Sequence, residues 1–299
     1  MYIMKITFLG TSSMIPTKTR NHSAIFLQYQ NEGILIDCGE GTQRQFRLAG
    51  ISPNKVTKLL ITHWHGDHIL GIPGLIQNLG VNDYKKTLQI YGPKGTKKYL
   101  KNILSGVVFE ERAKYEVKEV SKGIFYKDKN FSLESVPLDH IAPTLAYSFK
   151  ENDRLKINLD YLKKFNLKQH PLLGKLQQGK DIIYNDKKIT VKKATIPIKG
   201  KKITFISDTA PCKNALIIAK DSDLLISEST WGNEFSNLVK QRKHLTAELA
   251  ARLAKDSNSK ELILTHFSQR YKDLKPLESE AKKVFKNTKT AKDFMEIKI

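Results

Sequence analysis

Short apolar runs alternate with amphipathic stripes along most of this chain, with turn residues between them. Residues 4–8, 24–29 and 34–37 have the length and side chains of successive strands, the first two joined by a loop containing Gly-Thr-Ser-Ser. Residues 40–48 predict a short helix, 59–62 a buried strand, and 68–79 a loop running into a helix. A strand over 87–91 and a helix over 94–104 follow, then strands over 131–136 and 145–149 on either side of His140. Residues 203–207 and 224–227 are short and mainly apolar, the pattern of strands covered on both faces. Thr246 is placed to cap a helix running to about residue 255, with Leu245, Leu249 and Leu253 on one stripe. Residues 261–265 predict a strand, and Pro276 opens a last helix where proline is tolerated. Strands and helices therefore interleave at both ends, which predicts an α/β fold. Residues 151–201 interrupt the pattern, carry Pro171, Gly174 and Gly179, and are expected to form an insertion within a single domain spanning 1–299.

Composition narrows the partners more than the fold. The 299 residues are 40% apolar and 27% charged, as in a globular domain with a large core. No stretch approaches the ~18 apolar residues a membrane span requires. Residues 1–10 lack the charged start and long apolar middle of a signal peptide, and the two cysteines, Cys38 and Cys212, cannot build a disulfide framework. A cytoplasmic protein is expected. The formal net charge of +21 is uneven: Arg154 to Lys202 holds 14 Lys or Arg against three Asp, a net +11. A cluster of that density predicts nucleic acid, whose phosphates release counterions as lysines replace them, ahead of an anionic membrane surface.

The chemistry is concentrated in His63-Trp64-His65-Gly66-Asp67-His68, directly after the strand-like run. Imidazole and carboxylate are the ligands of zinc and similar divalent metals. If the strand continued, His63 and His65 would share a face and reach one ion, while Asp67 and His68 on the turn beyond could reach a second. Two ions need more ligands than one motif supplies. His140, Asp208 and His266 each follow a predicted strand, where functional side chains collect on such scaffolds.

The order of these blocks resembles the metallo-β-lactamase superfamily, and nearly the whole chain is similar to its ribonuclease Z branch of tRNA 3′-processing endonucleases. The matching stretches are Phe8-Leu9-Gly10-Thr11-Ser12-Ser13, Leu35-Ile36-Asp37-Cys38-Gly39-Glu40-Gly41-Thr42-Gln43 and the histidine motif. Leu138-Asp139-His140, Ser207-Asp208-Thr209, Ser227-Glu228-Ser229-Thr230 and Thr265-His266-Phe267-Ser268 complete the set. The resemblance implies an αβ/βα sandwich, two mixed sheets face to face with helices outside and a basic arm protruding. It implies two Zn²⁺ per subunit, with Mn²⁺ or another divalent metal as a substitute. His63, His65 and His140 would hold one ion, Asp67, His68 and His266 the other, and Asp208 would bridge them. Asp37 would either orient the motif or serve as a turn aspartate.

By the same resemblance Asp67 would activate water and His244, partnered by Glu228, would protonate the leaving 3′-oxygen. The products would be a tRNA 3′-OH and a trailer 5′-phosphate. Residues 151–201 would be the tRNA-gripping arm, with Lys163, Lys164, Lys168, Lys175 and Lys180 on phosphates. Its Pro171-Leu172-Leu173-Gly174-Lys175-Leu176-Gln177-Gln178-Gly179 core is intact, but His170 stands where a glycine is usual. Arg270 is a candidate phosphate clamp. A homodimer acting on precursor tRNA, with no membrane and no nucleotide cofactor, follows. Two alternatives compete: a small-molecule or cyclic phosphodiesterase of the same superfamily, which would not need the basic segment, and a non-catalytic RNA-binding protein stabilised by metal.

Overall fold

The computed structural model describes residues 3–299. Two mixed seven-stranded sheets and their flanking helices form the larger compact unit. The first sheet runs Glu296–Lys298, Lys5–Gly10, Ala24–Tyr29, Glu32–Ile36, Lys58–Leu60, Leu88–Gly92, Tyr115–Glu119. Its first four strands pair antiparallel, and from Glu32–Ile36 onward the pairing is parallel. The second runs Thr288–Thr290, Leu262–Thr265, Leu224–Glu228, Lys202–Ile206, Thr144–Glu151, Phe131–Leu138, Gly123–Lys127, with its first four strands parallel. Hydrogen bonds tie the second sheet to the loop leaving Lys58–Leu60 of the first: Tyr147 Oη donates to the Ile61 carbonyl (2.7 Å), and Leu145 N–H donates to that of Thr62 (2.9 Å).

Each sheet carries helices on its outer face, in the αβ/βα arrangement the resemblance implied. Thr42–Leu48, Ile72–Val81 and Thr96–Ser105 seat Phe46, Leu75, Leu79 and Leu100 against Phe26, Leu35, Leu59 and Ile90 of the first sheet. Lys213–Ala219, Ala247–Asp256 and Lys275–Val284 cover the second. The helix after Thr246 begins as expected, the threonine side chain accepting from Leu249 N–H (3.2 Å). Its buried face differs from the expected leucine stripe. Ala247, Ala250, Ala251 and Ala254 are buried, while Leu249 and Leu253 lie at the margin. Small side chains let this helix approach Leu262 and Leu264 of the sheet closely, and the longer leucines close the rim.

The expected strands at 24–29, 203–207 and 261–265 appear with ends shifted by at most two residues, and most strand positions there are buried. Tyr115–Glu119, Gly123–Lys127 and Glu296–Lys298 went unseen in the sequence because their lysines and glutamates hide the alternation.

The smaller unit comprises Lys127–Ser132 and Lys150–Lys201. It has a core of its own: Leu162, Leu167, Leu176, Ile182, Ile189 and Ala194. Two short antiparallel pairs frame it, Arg154–Ile157 with Thr195–Ile198 and Ile182–Tyr184 with Lys187–Ile189. His170 acts locally. Its Nδ1 accepts from Leu172 N–H (3.2 Å) at the start of the helix Leu172–Gln177, and its ring meets Tyr184 edge-on. Gly179 takes φ +80°, a conformation that favours glycine. No helix among the described residues is long and apolar enough to cross a membrane.

Candidate metal centre and catalytic site

Every donor stands on a segment that leaves a strand end. Asp37 follows Glu32–Ile36, the histidine motif follows Lys58–Leu60, His140 follows Phe131–Leu138, Asp208 follows Lys202–Ile206, and His266 follows Leu262–Thr265. The motif itself departs from expectation. The strand stops at Leu60, so His63 and His65 do not alternate along it but lie in the loop that follows, where His65 caps the single helical turn Gly66–Ile69. That turn swings Asp67 and His68 back toward the sheet. Glycine makes the fit possible: a Cβ on Gly39 would sit 2.3 Å from the Asp67 carbonyl oxygen, and one on Gly71 2.1 Å from that of Gly39. Backbone bonds from Cys38 N–H to the His68 carbonyl (2.8 Å) and from Gly71 N–H to the Cys38 carbonyl (2.9 Å) close this contact.

His63, His65, His140 and Asp208 bring one donor atom each within 4.8 Å of one another, as do Asp67, His68 and His266. Asp208 belongs to both neighbourhoods. Its Oδ2 lies 3.6 Å from His63 Nε2 and 4.0 Å from His140 Nε2, and its Oδ1 lies 3.6 Å from His68 Nε2 and 3.4 Å from His266 Nε2. Asp67 Oδ2 faces His68 Nε2 (3.3 Å) and His266 Nε2 (3.4 Å).

The protons of four rings can be assigned from their outer contacts. His68 Nδ1 donates to Asp37 Oδ2 (2.7 Å), since a carboxylate only accepts. Thr62 Oγ1 donates to that same oxygen (2.8 Å), and its lone pair accepts from His63 Nδ1 (3.0 Å). His140 Nδ1 donates to the Lys243 carbonyl (3.0 Å), and His266 Nδ1 to Thr230 Oγ1 (2.9 Å). In the neutral, metal-ligating form of these rings all four Nε2 atoms are therefore the bare ones, and they turn inward. His68 Nε2 and His266 Nε2 stand 3.2 Å apart, and His63 Nε2 is 3.0 Å from His65 Nδ1. Lone pairs this close, with two buried carboxylates, repel unless a cation lies among them. Asp67 Oδ1 is buried with no protein partner among the described residues. The donor set fits divalent metal.

Ionisation follows the same field. Burial disfavours a charged His68, but Asp208, Asp67 and Asp37 outweigh it and hold the imidazolium well above its ordinary range. Burial would raise Asp208, yet His266, His68, His63 and His244 drive it well below the carboxylate range. A site that retains a proton against burial attracts a divalent cation for the same reason. At His63, by contrast, burial and the neighbouring His68 dominate and push it well below the ordinary value.

His244 and Glu228 meet beside the donors. His244 Nδ1 donates to Glu228 Oε1 (3.2 Å) and lies 3.8 Å from Asp208 Oδ2. Burial lowers the imidazolium, and the Glu228 and Asp208 carboxylates more than reverse this, to about 9. Glu228 is fully buried and also accepts from the N–H groups of Thr209 (2.9 Å) and Thr230 (3.1 Å). Left-handed backbone at Asp37, Lys243 and His266 coincides with these contacts. At lysine and histidine that conformation is uncommon, and here it aims the Lys243 carbonyl and the His266 ring.

Arg270 is exposed, its guanidinium 5.1 Å above the Phe235 ring and 5.8 Å from that of Trp231. Lys163, Lys164, Lys168, Lys175 and Lys180 all belong to the smaller unit and are exposed there. Lys163 pairs with Asp160 (2.7 Å), and Lys164 lies 5.9 Å from the Tyr161 ring. Thr62, Thr230 and the Lys243 carbonyl escaped sequence reasoning. Only Thr230 had a signal, two residues after Glu228 in one of the matching blocks.

The family described as "Anti-Pycsar protein Apyc1" matches residues 4–199. A ribonuclease Z of Methanothermobacter thermautotrophicus is 40% identical over 298 residues, 99% of this chain and 97% of the relative. One from Nanoarchaeum equitans is 38% identical over 89% of this chain and 84% of its own. Among solved structures, human tRNase Z, short form, superposes with a TM-score of 0.72 at 26% identity, covering 98% of both chains. The metallo-β-lactamase fold protein YhfI from Bacillus subtilis reaches 0.73 at 18% identity over the full length of both, a likeness of fold.

Proposed function

The chain belongs to the ribonuclease Z family, and we propose from that premise how its site cleaves the 3′ trailer from precursor tRNA. It belongs also to the family described as Anti-Pycsar protein Apyc1, a description that names no reaction. The protein is a metal-dependent hydrolytic endonuclease of tRNA 3′ processing. The observation that carries the detailed reading is Asp208, whose two oxygens face two different histidine sets while His244 lies 3.8 Å away.

In this reading His63, His65 and His140 would hold one Zn²⁺ and Asp67, His68 and His266 a second, with Asp208 offering an oxygen to each and Mn²⁺ an acceptable substitute. Two such ions, when bound, supply Lewis-acid stabilisation of phosphoryl charge and a nucleophilic water near neutral pH. Asp67 keeps Oδ1 free to accept a proton from the attacking water. His244 commits Nδ1 to Glu228, which leaves Nε2 to protonate the departing 3′-oxygen. The tRNA keeps a 3′-OH and the trailer a 5′-phosphate. Glu228 holds the ring charged and oriented rather than touching substrate.

The five exposed lysines of the smaller unit, the proposed tRNA-binding arm over residues 151–201, engage phosphates by charge. Arg270 sits as a planar cation on two aromatic rings, suited to a phosphate beside the cut. A cytoplasmic homodimer without nucleotide cofactor is part of the same proposal. Incubation with a 3′-extended precursor tRNA and mapping of both product ends tests it. A cut at the junction of tRNA and trailer with 3′-OH and 5′-phosphate ends is expected. A protein that binds this RNA without cutting it, or that turns over only cyclic nucleotides, defeats the reading.

A further inference from the structure

One hydroxyl touches the metal side and the acid side of the site together. Thr230 is 3% exposed, two residues beyond Glu228. Its Oγ1 donates its single proton to Glu228 Oε2 (2.8 Å). The lone pairs then accept from His266 Nδ1 (2.9 Å) and, at longer range, from His244 Nδ1 (3.3 Å). Direction is forced at each step, because a carboxylate only accepts and a hydroxyl has one proton to give. The run His266 to Thr230 to Glu228 therefore keeps His266 Nε2 bare toward Asp67 and Asp208. It also fixes the carboxylate plane whose other oxygen holds His244 (3.2 Å) and Thr209 N–H (2.9 Å).

We propose that Thr230 is a positioning residue that ties His244 and Glu228 to the metal ligand His266, so that one hydroxyl sets both metal affinity and proton delivery. The proposal rests on the acid-pair reading of His244 and Glu228. Valine fills nearly the same space but has neither the proton for Glu228 nor the lone pair for His266. A threonine with a merely structural role would lower stability without separating substrates by leaving group. Thr230 does separate them, since a ribose oxygen must be protonated as it leaves whereas a nitrophenolate departs unaided.

The full chain is compared as wild type, Thr230→Val, Thr230→Ser and His244→Gln. Cleavage of 3′-extended precursor tRNA and of bis(p-nitrophenyl) phosphate is measured at saturating zinc, and zinc affinity by competition with a chromophoric chelator. Thr230→Val is expected to lower the ratio of tRNA to aryl-ester kcat by about tenfold or more. Zinc binding should weaken by about 10–100-fold, the usual cost of losing a hydrogen-bond partner behind a metal-bound histidine. Thr230→Ser should recover both. If His244→Gln leaves the ratio unchanged, the acid-pair reading falls and this inference with it. If His244→Gln lowers the ratio but Thr230→Val changes only one of the two quantities or neither, or serine rescues neither, the coupling through Thr230 is wrong while the acid-pair reading stands. Thermal melting checks folding. Should the valine variant fail to fold, Thr230→Ala removes the same hydroxyl with less crowding and is held to the same outcomes.

Discussion

Asp208 and Lys175 are both charged, but the first is 2% exposed among imidazoles and the second stands in solvent on a small helical unit. Around Asp208, distances of 3.4 to 4.0 Å in a water-poor setting make each contact strong and unforgiving. Around Lys175, charge is screened within about 8–10 Å, and the exposed lysine pairs of that unit, such as Lys163 with Asp160, each contribute little. The metal centre is specified by pairs, the basic unit by a sum. Single substitutions should therefore be decisive in one region and nearly silent in the other.

The largest effect is expected at Asp208, the proposed bridge. Asp208→Ala removes the carboxylate that faces both histidine sets, and cleavage of precursor tRNA should fall by on the order of 10³-fold or more, given ~10²-fold or more for deleting one group that stabilises a reacting centre. Metal content by atomic absorption should fall in parallel. Retention of the full metal content of the wild type would break the comparison at its strongest point.

Next comes the sum. Replacing Lys163, Lys164, Lys168, Lys175 and Lys180 together by Ala should weaken precursor tRNA binding and flatten its salt dependence by up to about 0.7–0.9 for each phosphate no longer neutralised. Hydrolysis of bis(p-nitrophenyl) phosphate is the control that should not follow. An unchanged slope of log affinity against log salt would remove the basic unit from substrate binding.

Asp37→Asn probes the metal region one step out. The amide cannot accept from His68 Nδ1 and both Thr62 donors as the carboxylate does, so zinc affinity should drop by about 10–100-fold. Chelator competition reads this. Smallest of all is Lys163→Ala alone, expected to change tRNA affinity by about twofold or less, because that ammonium is already paired with Asp160 and each exposed pair contributes ~0–1 kcal/mol. A tenfold loss there would mean that the lysines act individually after all.

Much of the site was legible because its chemistry is local in sequence. Histidine and aspartate at such spacing have few other uses, and strand ends mark where the remaining donors emerge, so His140, Asp208 and His266 could be named without coordinates. The placement of His63 and His65 was not legible. Periodicity put them on one face of a strand, but pairing ends at Leu60, and it is the close approaches at Gly39 and Gly71 that fold the motif back. The alanine face of the helix Ala247–Asp256 was missed for a similar reason: hydropathy ranks leucine above alanine, whereas close approach to a sheet ranks size.

The sequence by itself determined the donor types, their order, the α/β alternation and the excess of positive charge, because each is a property of residue identity or near spacing. Tertiary structure alone decided which donors share an ion-sized space, which nitrogen of each ring is bare, and that Thr62, Thr230 and the Lys243 carbonyl hold them so. Those outcomes depend on groups up to about 200 positions apart, His266 and Asp67 among them, meeting within a few ångströms. No local pattern encodes such a meeting, since it is set by how two sheets pack and where their strands end.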